Sequence, residues 1–381
     1  MLRMTTYARI GLSPLDATRC DVVLDLPHFS PVTHGMLLID AQFDSGPDSE
    51  SVITKATAVL GSMHRGAEKL YESRDYRQIL MLASRHEWLS PFSGETGVAQ
   101  LLERELGITV PLTARWLRTL LLEFNRVTSH MAFLAGFPWD PQLSFTLGQL
   151  REPWVELLQS YTGSRMHPMI TCIGGLTHAP TDEWLTTLDA LCASTRAAMT
   201  TLLNSGLDTI PTGLGILTPQ TVTDFALSGP AARASNVHRD LRTTSTQLMY
   251  HEIADFEPLT QTGGDVAARL RQLRDELLQA IQIIQGCISH CRTGLTDDIN
   301  VLLPKVIRVP EGRYEHSIET PLGIASWYLV SQNDKMPYRL KLRPASLHTV
   351  LALSEVLVGA TLDQAKLIIA SMPFLSGDAD R

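Results

Sequence analysis

The feature that most constrains the fold is residues 111–137, PLTARWLRTLLLEFNRVTSHMAFLAGF. Leu112, Trp116, Leu117, Leu120, Leu121, Phe124, Val127, Met131 and Leu134 recur in steps of three and four, which is the repeat of one α-helical face. Pro111 suits a first turn, where its missing N–H has no partner to lose, and Gly136 with Pro138 supplies the stop. A helix of this length spans roughly 40 Å at ~1.5 Å per residue, enough to cross a domain. Leu120–Leu122 widens the stripe, so the helix is predicted to be a central member of a bundle.

The rest of the composition fits that expectation. The chain has 381 residues, 44% of them hydrophobic and 19% charged, and belongs with globular rather than disordered sequences. A net charge of −8 with scattered Lys and Arg leaves no basic footprint for nucleic acid. The five cysteines, Cys20, Cys172, Cys192, Cys287 and Cys291, are odd in number and widely spaced, as in a reduced cytoplasmic chain. Cys287 and Cys291 read as buried thiols on one helix rather than a metal pair, with His290 on another face. The first twenty residues lack the apolar core of a signal peptide, and no uninterrupted apolar run reaches bilayer length. Any membrane association is therefore expected to run through partners.

Along the chain, residues 21–26 and 35–43 read as two short strands joined by a proline-bearing loop that ends at His34-Gly35, an N-terminal hairpin over 21–45. Helical patterns follow at 51–73, broken at His64-Arg65-Gly66, then at 77–85, 93–106 and the long helix. Residues 138–150 read as loop, and 151–161, 181–205 and 265–291 as helix. Gly174-Gly175 implies a tight backbone approach. Residues 221–227 read as a short helix, and 236–260 as irregular and polar. Residues 313–319 and 324–330 form a predicted hairpin with 338–342 as third strand, before helices at 346–358 and 361–370. With no repeat or linker, the predicted architecture is mainly α. It is a single domain over 1–381, with a central helical bundle at 51–292 and small β-sheet caps, the second inside an α+β section at 313–381.

The common catalytic signatures are missing: no P-loop, G-x-G-x-x-G, G-x-S-x-G, H-E-x-x-H or C-x-x-C occurs. What remains is a set of polar residues at helix breaks: His34, His64, Arg65, Glu68, Arg85, Glu87, Trp88, Asp140, Arg165 and His167. Histidine beside a carboxylate can shuttle protons near neutral pH, and arginine can hold a developing anion. The same residues also serve as caps and surface ion pairs in many folds. Residue types alone leave both readings open.

The runs HRGAEKL, RHEWLSP, SRMHP and PYRLKLRPAS, with the closing Gly377-Asp378-Ala379-Asp380-Arg381, resemble the D subunit of bacterial NADH-quinone oxidoreductase, the quinone-site subunit of respiratory complex I. The resemblance covers nearly the whole chain from about residue 21. That family is related to the large subunit of nickel-iron hydrogenases, and its fold is expected here. This chain has no cysteine pair near HRGAEKL or at its C-terminus, so the resemblance does not extend to a hydrogenase metal site.

The resemblance implies a subunit of a membrane-associated oxidoreductase and translocase that binds quinone, ubiquinone or menaquinone. NAD is used by the complex, the last iron-sulfur cluster is held by the neighbouring B subunit, and no redox centre is bound by this chain. Implied partners are the B and C subunits and the membrane arm, placing the chain peripherally on the cytoplasmic side of the cell membrane. His34 matches the family's headgroup-side histidine and Asp140 the carboxylate paired with it. Arg65 and His167 match residues close to the cluster, with His64 and Arg85 beside them. Trp88 replaces a tyrosine whose phenol bonds the other quinone carbonyl. Two further departures are Ser30, where the family pattern begins with a histidine, and Cys172, where it tends to carry an arginine. The loop after Asp140 is about three residues short. These departures favour, as an alternative, a divergent D-like paralogue with a structural or assembly role and weakened quinone chemistry.

Overall fold

The computed structural model describes residues 6–10, 22–23, 26, 30–44, 51–254, 256–292 and 298–381. The first sheet is built from β1 (Thr6–Ile10), β2 (Val22–Val23), β3 (Leu37–Phe43) and β4 (Ile53–Val59), in the order β2-β1-β3-β4. Then come α1 (Ala67–Tyr71), α2 (Tyr76–Ala83), α3 (Pro91–Glu105), α4 (Leu112–Gly136) and α5 (Pro141–Thr162). A small hairpin, β5 (Thr171–Cys172) and β6 (Gly175–Leu176), precedes α6 (Asp182–Leu207), α7 (Pro219–Asp224), α8 (Gly229–Arg233) and α9 (Val266–Arg292). The chain closes with the meander β7 (Gly312–Thr320), β8 (Gly323–Ser331) and β9 (Arg339–Arg343), then α10 (Ala345–Val356), α11 (Leu362–Ser371) and α12 (Ser376–Asp380). The fold is mainly α with small sheets at its periphery, as the sequence predicts.

Three expectations are corrected. Residues 53–59 form a strand, not the start of a helix. Ile53 and Ala56 face the core three residues apart because the register shifts at Gln42/Phe43, breaking the alternation that marks a strand. Residues 22–23 and 37–43 are not hairpin partners, since β1 lies between them, parallel to β2 and antiparallel to β3. Residues 141–150 are helix rather than loop. Asp140 caps the first turn by accepting from the Gln142 N–H at 2.9 Å, and Pro141 follows at the position where proline is tolerated.

The long helix α4 is buried on nearly every side: only Leu112, Arg115 and Ala132 fall outside the core. Its apolar stripe packs against α5 and α9, while its polar side meets a buried ionic cluster. Arg126 pairs with Glu123 at 3.0 Å, Arg242 with Asp240 at 2.7 Å, and Arg233 with both Glu276 and Glu319 at 2.7 Å. His130 Nε2 lies 3.2 Å from Glu276, and the Tyr250 hydroxyl donates to Glu123 at 2.7 Å. Burial alone raises a carboxyl, but the guanidiniums Arg126 and Arg242 hold Glu123 below its ordinary value, and Arg233 with His130 holds Glu276 well below.

The C-terminal end of α4 abuts the 3-10 turn Pro31–Thr33 that carries His34. At Gly136 an added Cβ would lie 2.6 Å from the Ser30 Cα, so only glycine lets the helix approach that turn. Gly175 has φ +151, and a Cβ there would strike the Ile299 and Asn300 backbone, which is the close approach the glycine pair implies.

Candidate active-site cavity

A cavity of roughly 1120 Å³ opens where α4, α5, the His34 turn and the loop at residues 84–90 meet. Its walls are mostly apolar. Ala132 and Ala135 of α4 leave room by being small, Gly148 on α5 adds none of its own bulk, and Phe145 and Met166 stand exposed at 59% and 47%. The polar groups lie at the edges: His34, Trp88, Gln149, Arg151 and Glu152. An apolar chamber with few polar groups suits a hydrophobic ligand with a small polar head.

The structure brings His34 and Trp88 together, with ring centroids 5.1 Å apart and planes at 62°, an edge-on contact. Burial, and then the Arg151 charge, hold the His34 imidazole below its ordinary 6.5, so it is mainly neutral at pH 7. Arg151 is itself fixed by donating from Nε to the Thr128 carbonyl at 3.0 Å. Arg165, from the run SRMHP, pairs with Glu152 at 2.5 Å on the rim.

Asp140 is not brought to His34. Its carboxylate caps α5, and the cavity it lines is a separate one with Thr146, Leu202 and Ile210. The charge that acts on His34 is Arg151, which the loop reading of residues 138–150 left out of any site. Asp140-Pro141, a cap followed by a first-turn proline, was the available signal for a helix there, and that helix places Phe145, Gly148 and Arg151/Glu152 along one face.

The other residues lie to either side. His167 is half-buried, and its Nδ1 has no protein partner. Burial, then Arg85, lower its affinity for a proton, with the Ser84 backbone acting the other way. Arg85 donates to the Met81 carbonyl and lies 3.9 Å from the Met169 sulfur. His64 bonds through Nδ1 to the Asp380 carbonyl at 2.8 Å, while exposed Arg65 acts with Arg381 on His86, whose burial lowers it to about 4. Glu68 is taken up by Arg339 at 2.5 Å.

One neighbour was missed in the sequence. Glu95 is buried on α3 and accepts the Met169 and Thr171 N–H groups at 3.0 Å each, which shapes the strand after His167. Burial raises it to about 7, opposed by those backbone donors. Further along, Arg118 binds Glu103 at 2.6 Å and donates to the Cys172 carbonyl at 2.8 Å, so Cys172 sits on a hairpin held from beneath. Cys287 is buried as predicted, whereas Cys291, read as buried with it, is only partly so, and His290 stacks on Trp116 with ring centroids 4.0 Å apart. Cys20 lies outside the described residues.

Residues 143–306 and 298–381 match the family described as respiratory-chain NADH dehydrogenase, 49 Kd subunit. The chain is 39% identical to the D 1 subunit of NADH-quinone oxidoreductase from Streptomyces coelicolor, over 99% of each chain. It is 38% identical to the D 2 subunit from Streptomyces griseus subsp. griseus, over 100% of this chain and 98% of that one. Among solved structures it resembles, at a TM-score of 0.84 and 27% identity, a chain of the membrane-bound sulfane sulfur reductase, an archaeal respiratory membrane complex. That match covers 100% of this chain and 98% of the other.

Proposed function

The chain belongs to the family of the 49 Kd, or D, subunit of NADH-quinone oxidoreductase, and from that premise we propose that it forms the quinone-reduction site together with the B subunit. The observation that carries this reading is the cavity of roughly 1120 Å³, apolar along its walls and ending at His34 and Trp88. A quinone is an apolar tail on a head with two carbonyl acceptors, and the cavity offers a surface for the first and donors for the second.

The iron-sulfur clusters of other subunits, the last held by the B subunit, would supply electrons from NADH, and the residues of this chain that would meet the quinone are those of the cavity. This chain binds the quinone and handles protons. His34 in its neutral form donates an N–H hydrogen bond to one carbonyl, and it can hand a proton to that oxygen only after the imidazole has first taken one up from solvent as negative charge builds there. Trp88 donates an indole N–H that orients the head but holds no proton it can release at accessible pH. Burial and then Arg151 favour the neutral state of His34, the opposite of what the paired carboxylate that the resemblance assigns to Asp140 would do. Arg65, Arg85 and His167 are the residues the resemblance assigns to the cluster side, where cations would favour the reduced, more negative state.

The chain docks on the B and C subunits and the membrane arm at the cytoplasmic face of the cell membrane, and no helix among the described residues is long and apolar enough to cross it. A photoreactive quinone added to the assembled complex tests the site. Labels on α5 around Phe145 and on Met166 are the expected result, and labelling of the complex that spares both contradicts it. Trp88 favours a second reading, a D-like paralogue that assembles with a B-like partner but has altered chemistry, because the position carries no releasable proton.

A further inference from the structure

Arg151 differs from the arginines of the core. Arg118 pairs with Glu103 at 2.6 Å, Arg126 with Glu123 at 3.0 Å, Arg233 with Glu276 at 2.7 Å and Arg242 with Asp240 at 2.7 Å, so these guanidiniums are matched by carboxylates. Arg151 instead stands on the wall of the large cavity, on the face of α5 that also carries Ser144 and Gly148. Its Nε donates to the Thr128 carbonyl of α4 at 3.0 Å, which turns that edge of the guanidinium toward the protein. Among the described residues the two terminal nitrogens have neither a hydrogen-bond acceptor nor an ion-pair partner. They carry most of the N–H donors of the side chain.

The groups around it leave its charge uncompensated. Glu152, its neighbour in sequence, lines the same cavity but pairs with Arg165 at 2.5 Å on the rim, where both side chains are about half exposed. Burial lowers Arg151 from its ordinary value, with Glu152 opposing and Arg165 adding to the effect. His34 is held neutral by burial and by Arg151 itself, and Trp88 contributes an uncharged N–H. The head end of a mostly apolar chamber therefore carries a positive charge with no matched anion. Withdrawing such a cation from water is unfavourable, and a ligand that brings negative charge offsets the cost. Arginine's planar fork directs its N–H groups at an oxygen anion.

We propose that Arg151 binds the negatively charged oxygen of the head group, so that the cavity holds the reduced, anionic form of a quinone, and acidic hydroxyquinones, more tightly than a neutral quinone. The proposal rests on the quinone reading of the cavity. A neutral quinone offers Arg151 only carbonyl acceptors. Each electron taken up places negative charge on those oxygens, and the guanidinium hydrogen bonds strengthen as it builds. Reduction to the quinol takes two electrons from the cluster and two protons from solvent. Arg151 supplies neither, because a guanidinium keeps its proton at accessible pH; it stabilises the charged stage until the protons arrive. A hydroxynaphthoquinone, a vinylogous acid ionised at neutral pH, presents the same charge in a stable compound.

The test compares two competitors of the photoreactive quinone in the assembled complex at neutral pH, a hydroxynaphthoquinone with an alkyl tail and its methyl ether. In the wild type the hydroxy compound should bind about tenfold more tightly than the ether. Arg151→Gln should abolish that preference by weakening the hydroxy compound alone, and Arg151→Lys, which keeps the charge without the fork, should restore part of it. The kcat of quinone reduction in Arg151→Gln should fall about tenfold with KM little changed, because only the charged stage loses its partner. Equal binding of the two compounds by the wild type overturns the proposal and leaves the quinone reading standing, as does an Arg151→Gln complex that keeps the preference. Equal weakening of both compounds in that variant assigns Arg151 to the shape of the cavity and also overturns it. If neither compound displaces the label from the wild-type cavity, the quinone reading falls and the proposal with it.

Discussion

Helix α4 passes through two regions that use polarity in opposite ways. Around Glu123, Arg126 and His130, ionised groups are fully buried and matched by partners from α8, α9 and β7 at 2.7–3.6 Å. Two turns on, around Ala132 and Ala135, the helix faces an open apolar chamber whose edge residues His34 and Trp88 touch each other rather than a fixed ionic partner. Arginine serves the first region because its planar fork binds carboxylates in fixed directions, and small side chains serve the second because they leave volume. Charge that is paired in the core fixes the bundle, whereas the apolar chamber leaves volume for a ligand.

The largest expected effect comes from breaking the paired side. Arg233→Met leaves Glu276 and Glu319 buried without their 2.7 Å partner and should cost roughly 3–5 kcal/mol, read as a lowered thermal midpoint or failed assembly. An unchanged midpoint would mean that the cluster does not hold the bundle. The sign with pH follows from the lowered carboxyls. Glu123 and Glu276 contribute stability that is present above the ordinary carboxylate pKa and is lost as pH falls through their lower folded values.

Glu95 has the opposite sign. Its folded value is raised from 4.5 to about 7, so the folded state holds an extra proton in that window. Its contribution is fully present below the unfolded pKa and is lost as pH rises toward 7, by at most about 3 kcal/mol. Glu95→Gln should flatten this decline in denaturant melts taken across the window. A slope equal to the wild type's would show that Glu95 is not its source.

A smaller change separates the two readings of the cavity. If Trp88 orients the quinone without supplying a proton, Trp88→Tyr should raise NADH-to-quinone turnover in the assembled complex by up to about tenfold. Equal or lower turnover counts against that role. Smallest is a shift in potential. His167 gains a proton as pH falls and its charge then favours a reduced neighbour, so the midpoint potential of the cluster held by the B subunit should rise toward acid pH. His167→Met should remove that dependence, and a redox titration with the slope intact sinks the assignment.

Much of the bundle was legible because periodicity is local. The long helix, α6, α9 and the β7–β8 hairpin lie close to where the patterns place them. Residues 53–59 were not, because a bulge at Gln42/Phe43 spaces the buried Ile53 and Ala56 three apart, as in a helix. The start of α5 was obscured by glycine and polar residues despite its Asp140-Pro141 cap. The ionic cluster could not be read at all, since Arg126 and Glu276, or Arg233 and Glu319, meet only once the chain has folded. For the site, the resemblance named His34 and Trp88, which the structure joins, and Asp140, which it turns into a helix cap. Arg151 carries no motif, and only its place on the cavity wall beside His34 singles it out.

Gly148 offers the most direct test of the cavity as a quinone site. It lines the chamber, and a Cβ added there meets nothing within 4 Å, so a large side chain can enter the space without displacing protein. Gly148→Phe should keep the complex assembled and its electron transfer from NADH to a water-soluble acceptor intact, while quinone reduction falls by more than about tenfold, a barrier increase of roughly 1.4 kcal/mol. Full quinone turnover with wild-type affinity in that variant would contradict the account.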